Sequence, residues 1–155
     1  MKLICVGMVV LVAVACGISQ THSAEQPTST DQEKFIGAWH LVDMLGPDGK
    51  PVTNGVPMGM LIYTRDRHMS VQLMYAQSEQ SLSNDYVQNG YEASFGSYDV
   101  NPAAHTVTHH VQGANTGDHL VGKDLPRVYE FGADGQLIIR SARPDEHWAV
   151  TWKHY

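Results

Sequence analysis

Nine histidines fall in this 155-residue chain, and two of them stand side by side as His109-His110. Histidine titrates near neutrality and is the commonest metal ligand, so acid–base and metal chemistry are the first readings to test against spacing. The pair lies within residues 95–113, FGSYDVNPAAHTVTHHVQG, two strand-like runs joined by Asn101-Pro102-Ala103-Ala104. Neighbours on a strand point to opposite faces. His109 then shares a face with His105, Val107 and Val111, and His110 with Thr106, Thr108 and Gln112. The first set is the more apolar, which puts His109 in the interior and His110 at solvent or a rim. An interior His109 is either a structural histidine bonded to a neighbouring strand, or a ligand contact or general base whose pKa is set by burial.

Metal chemistry fails on spacing. His105 and His109 share a face, but four residues at ~3.3 Å each separate them by about 13 Å, far more than two ligands of one zinc ion allow. The sequence therefore implies no metal site and no cofactor. Nucleophilic catalysis lacks its residues: the chain's two cysteines are Cys5 and Cys16, and no Gly-x-Ser-x-Gly elbow is present. Acid–base chemistry is left with His109 and a partner such as Tyr98. The other signal is apolar. Met58, Met60, Met69 and Met74 cluster in two adjacent runs, and Trp148 and Trp152 share a face of the last run. Methionine adapts to irregular shapes and is common where apolar ligands bind. The expected ligand-binding set is His109, Tyr63, Met60, Met69, Tyr129 and Trp148.

The elements that must position these residues read as short strands. Strand patterns cover residues 35–44, 58–64, 69–74, 91–100, 106–112, 127–131, 137–141 and 147–153; Met69, Val71 and Leu73 alternate with Ser70 and Gln72, the period of a strand with one buried face. Turn chemistry separates them, as in Pro47-Asp48-Gly49 and Ala133-Asp134-Gly135. Between 75 and 90 the spacing of Leu82, Tyr86 and Val87, with Ser83 as N-cap and Gly90 as C-cap, predicts one short helix. Residues 113–126 exceed the ~2–5 residues of an ordinary hairpin loop and read as a lid or rim loop. About eight short strands in sequence predict an all-β fold, an up-and-down antiparallel barrel whose closure removes its edges. Such a barrel holds packed side chains or one small ligand.

At the N-terminus, Lys2 precedes the apolar run 3–15, the pattern of an export signal and too short to span a membrane. Residues 1–15 are the expected signal peptide, with a cut after Ala24 as the alternative. Ala13-Val14-Ala15 before Cys16 also resembles a bacterial lipobox, with Ala13 where Leu is typical; Cys16 is then the lipidation site and a lipid anchor in the membrane the expected partner. Residues 16–32, rich in Ser, Thr and Gln, read as a disordered tether, and 33–155 as the barrel domain. Lys2 is the only charge in the leader, so 9 basic residues face 16 acidic ones after cleavage. That balance disfavours nucleic acid as a partner.

Gly37-Ala38-Trp39 matches the Gly-x-Trp of lipocalins and their relatives. Residues 59–64 with 69–74, 95–100 and 106–111 resemble the bacterial lipocalin-like domain family more specifically, in order and in separation, from about Phe35 to Trp152. The resemblance implies a lipocalin-like barrel, with Gly37 and Trp39 as its structural motif, and implies little about activity. The turn after Tyr63-Thr64 lacks the family's glycine, having Arg65-Asp66-Arg67. Lipocalins also pack a basic residue from the last strand or near it over the Trp, for which Lys153 and Arg140 both qualify. The expected function is an exported protein, periplasmic or held at the outer membrane, that binds a small hydrophobic molecule inside the barrel. The alternatives are a structural envelope lipoprotein with a filled barrel, and an isomerase, cyclase or hydratase using His109 with Tyr98. No protein partner is expected.

Overall fold

The computed structural model describes residues 30–52, 58–75 and 83–155. A short helix, α1 (Thr30–Phe35), leads into eight strands: β1 (Gly37–Leu45), β2 (Met58–Tyr63), β3 (His68–Met74), β4 (Tyr91–Asn101), β5 (Thr106–Ala114), β6 (Asp124–Phe131), β7 (Leu137–Ser141) and β8 (Ala149–His154). Each pairs antiparallel with the next, and β8 pairs back to β1, closing the barrel in sequence order. The all-β, up-and-down architecture expected from the strand count is therefore the one observed. Alternation does what the pattern predicts on β3, where Met69, Val71 and Leu73 are buried while Gln72 is exposed. A bulge between Leu41 and Asp43 on β1 shifts the phase of that strand and turns Met44 inward, leaving Val42 exposed.

The two ends differ. At one, Phe35 from α1 is fully buried and meets Tyr63, Tyr129 and Phe131 edge-on, with ring centroids 4.9–5.2 Å apart. The Trp39 indole N–H donates to the Phe35 carbonyl at 2.8 Å, and the Tyr129 hydroxyl donates to Asp31 at 2.7 Å. These contacts fasten α1 over the barrel and close this end. Thr30, Asp31 and Gln32, assigned to the tether from composition, are thus part of the folded domain, and Gln32 is buried. Residues 1–29, with the expected signal peptide and Cys16, lie outside the described residues.

Two further expectations need correction. Residues 83–90 form bends and a turn, not a helix. Asn84 Oδ1 accepts the backbone N–H groups of Tyr86 and Val87 at 2.8 and 3.0 Å, and Ser83 Oγ accepts that of Asn89 at 3.1 Å. Side chains satisfy donors that a helix would bond to its own carbonyls. Residues 76–82 lie outside the described residues, and the short helix is α1. The expected rim loop of 113–126 is shorter, residues 115–123, because β5 runs to Ala114 and β6 starts at Asp124.

The lipocalin-type details also differ. His154 stacks on Trp39, with centroids 3.5 Å apart, where Lys153 or Arg140 was expected. Arg140 instead pairs with Glu130 at 2.9 Å, and Lys153 is exposed. Gly37 lies under this stack at φ +141°, where an added Cβ would come within 2.6 Å of the His154 ring. In the turn that lacks a glycine, Arg67 itself adopts φ +66°.

Candidate functional site

Toward the end opposite α1 the barrel holds a cavity of about 480 Å³. Its wall is apolar, built from inward side chains of the strands: Leu61, Val71, Leu73, Ile139, Val150 and Trp152. Residues 44–52 after β1, Asn84, Tyr86 and Val87 before β4, Leu120 before β6 and Trp148 before β8 line its rim. The polar groups on its strand walls are Ser94 and Glu92 from β4, His109 from β5 and Arg127 from β6, and Asp48, Lys50 and Asn84 add polar groups at the rim.

Of the expected ligand-binding residues, the structure brings His109 and Trp148 to the cavity wall. Tyr63 is buried and reaches the site indirectly: its hydroxyl lies 2.7 Å from His109 Nε2. Tyr129 and Met69 are buried but do not line the cavity; Tyr129 belongs to the aromatic cluster under α1. Met60 points outward, as do Met58 and Met74. The inward phase of β2 belongs to Leu61 and Tyr63, so the methionines flanking them fall on the outer face. Tyr98, the partner expected for His109 in an enzyme, donates its hydroxyl to the Thr64 carbonyl at 3.0 Å. The partner His109 actually has is Tyr63.

The histidine pair splits as alternation requires. His109 is inside. His110 is outside, between Asp124 at 2.6 Å and Asp99 at 3.1 Å, and Asp99 also pairs with Arg67 at 3.0 Å. Its hydrogen bond to the Asp124 carboxylate raises the His110 pKa; burial opposes this, and the hydrogen bond to Asp99 adds to the rise. The two carboxylates sit on opposite ring nitrogens. Among the described residues no group of three or more His, Cys, Asp or Glu side chains could hold a metal ion.

Burial, reinforced by the positive charge of Arg127 and by His110, pulls the His109 pKa down to about 3. Burial also pushes the Tyr63 phenol well above its usual range, so both groups are neutral at ordinary pH. A neutral hydrogen bond between the phenol oxygen and Nε2 therefore joins them, and the other ring nitrogen, Nδ1, is left for other partners. An imidazole with so low a pKa is a weak general base, since efficient proton transfer needs a pKa near the working pH. Its suitable role is as a hydrogen-bonding group.

Glu92 and Arg127 were not among the residues singled out from sequence. Glu92 faces inward beside Leu73. Burial pushes its carboxyl up to about 7 against the pull of Arg127. Arg127 is only 8% exposed. Its guanidinium lies 5.0 Å from the Trp148 ring and 5.4 Å from that of Tyr86, and Nη1 donates to the Pro126 carbonyl at 3.3 Å. The signal that could have found it is register: Leu125 and Tyr129, two positions to either side, are both buried.

No curated protein matches the chain. Among solved structures, it is similar to the crystal structure of the fluorescent protein UnaG wild type, at 15% identity and a TM-score of 0.41, over 79% of this chain and 98% of that one. The family model described as a lipocalin-like domain matches residues 36–154, from the residue before β1 to the end of β8, and the chain belongs to that family.

Proposed function

We propose that this protein is an exported binder of a small, largely apolar molecule, which it holds inside the barrel. The observation that carries this reading is the cavity of about 480 Å³ with aliphatic and aromatic side chains around Glu92, Ser94, His109 and Arg127, and with Asp48, Lys50 and Asn84 at its rim, within the ~300–1,000 Å³ of small-molecule sites. A filled structural barrel should have no such space. Export rests on the apolar leader of residues 3–15 and the small residues ahead of Cys16. A lipid anchor at Cys16, joined to α1 by the intervening residues, would keep the barrel at a membrane surface.

Native mass spectrometry of protein purified without detergent, against a panel of lipids, polyenes and quinones, tests the binding reading. A one-to-one complex with a member of the panel is expected. A folded chain that stays empty against every class would refute it.

A further inference from the structure

Arg127 has an unusual position for a charged side chain. It points into an apolar cavity, is buried, and is flanked by the rings of Tyr86 and Trp148. The rings supply cation–π attraction, and one backbone carbonyl takes one of its five N–H donors. Among the described residues no carboxylate approaches it within ion-pair distance, whereas the exposed Arg67, Arg140 and Arg143 each have one at 2.9–3.0 Å. Buried charges are ordinarily paired, because taking an ion out of water is expensive without a partner. Here the guanidinium edge is left available to whatever enters the cavity.

We propose that the natural ligand is an apolar acid, and that Arg127 binds its carboxylate. The proposal rests on the cavity-binding reading above and adds the chemical class of the ligand. A carboxylate suits the planar fork of a guanidinium, which can hold both oxygens at once. A single negative charge is the right amount. The neutral His109 adds no cationic charge, Lys50 at the rim is paired with Asp48 at 3.3 Å, and Glu92, in the same cavity, would oppose a dianion such as a phosphate monoester. The remainder of the ligand must be apolar, since Leu61, Val71, Leu73, Ile139 and Val150 offer it nothing else. The aromatic side chains beside Arg127 exclude water from the ion pair, which strengthens it.

The test compares dodecanoate with methyl dodecanoate, which share an alkyl chain and differ in charge, by titration of the wild-type chain at pH 6 with tryptophan fluorescence as readout. Trp148 and Trp152 line the cavity and report on occupancy. The acid is expected to bind at least about 10-fold tighter than the ester, the factor for an interaction of about 1.4 kcal/mol. In Arg127→Met that preference should collapse to less than about twofold. Equal affinities in the wild type would overturn the proposal and leave the cavity-binding reading standing. Binding of neither compound would count against that reading as well. A preference that survives Arg127→Met would remove Arg127 from the role. Should that variant not fold, carbon NMR of carboxyl-labelled dodecanoate bound to the wild type decides the matter. An acid paired with Arg127 stays ionised below its free pKa, whereas one buried without it titrates above.

Discussion

The Tyr63 hydroxyl lies 2.7 Å from Nε2 of His109, joining β2 to β5 across the barrel interior. His109 lines the cavity and Tyr63 packs into the aromatic cluster beneath α1, against Phe35 at 5.1 Å and Tyr98 at 4.7 Å. The pair marks the boundary between the part of the barrel that is filled and the part that is empty. Tyr63→Phe removes the hydroxyl and leaves His109 Nε2 unpaired, at an expected cost of about 1–2 kcal/mol. His109→Leu strands the hydroxyl and should cost at least as much. Urea denaturation of both single variants and the double variant checks this; the double variant should be less destabilised than the two singles together.

Because its pKa is held near 3, His109 stays neutral in the folded protein while it gains a proton in the unfolded chain below about 6.5. The unfolded state thus binds more protons, and this contribution to stability is lost as pH falls from about 6.5 toward 3. Glu92, raised to about 7, acts the other way, binding a proton in the folded state between about 4.5 and 7. The raised His110 also favours the folded state at lower pH. The His109 contribution is therefore read as a difference. Denaturation midpoints of the wild type minus those of His109→Gln should decline steadily from pH 6.5 to pH 4.

An anion on Arg127 shares its cavity with Glu92, with neutral His109 also on the wall. Ionisation of Glu92 adds a like charge there, so affinity for an apolar acid should fall as pH rises through about 7. Binding the acid should also draw a proton onto Glu92 near pH 7. In Glu92→Gln the affinity should be level between pH 6 and 8. Calorimetric titrations in two buffers of different ionisation enthalpy measure both the affinity and the proton uptake.

Gly37 and His154 form a second close relationship, with an added Cβ 2.6 Å from the imidazole and a φ of +141°. Gly37→Ala should cost about 1–3 kcal/mol from backbone strain and disturb the stack on Trp39. In a His154→Ala background the steric part is relieved and the backbone part remains, so the same substitution should cost less there. Thermal unfolding of the four chains measures the difference.

Much of this was legible in the residues. Alternation on β3 and on β5 placed Met69, Val71, Leu73 and His109 inward, because a two-residue period with one buried face leaves little freedom. Residues 83–90 misled because the spacing of Leu82, Tyr86 and Val87 is common to a helix turn and to a loop folded around Asn84, and the side-chain bonds of Asn84 decide between them. Met60 misled because composition does not say which face a residue takes, and its neighbours Leu61 and Tyr63 hold the inner one. Arg127, between Pro126 and Val128, reads as a surface residue by its charge; the alternation of β6, with Leu125 and Tyr129 buried on the same face, turns it inward. The same reasoning makes Met60→Ala neutral for ligand binding and Trp148→Ala damaging, in a side-by-side titration.

The most direct test of an apolar ligand in the barrel is titration of delipidated protein with the neutral fluorescent probe N-phenyl-naphthylamine, beside a Ser94→Trp variant. Ser94 is buried on β4 and lines the cavity, so an indole there occupies the space. One saturable site per chain is expected in the wild type, and its loss in Ser94→Trp with an unchanged far-ultraviolet spectrum. Absence of saturable binding to the folded wild type, or equal binding to both chains, would contradict a ligand site inside the barrel.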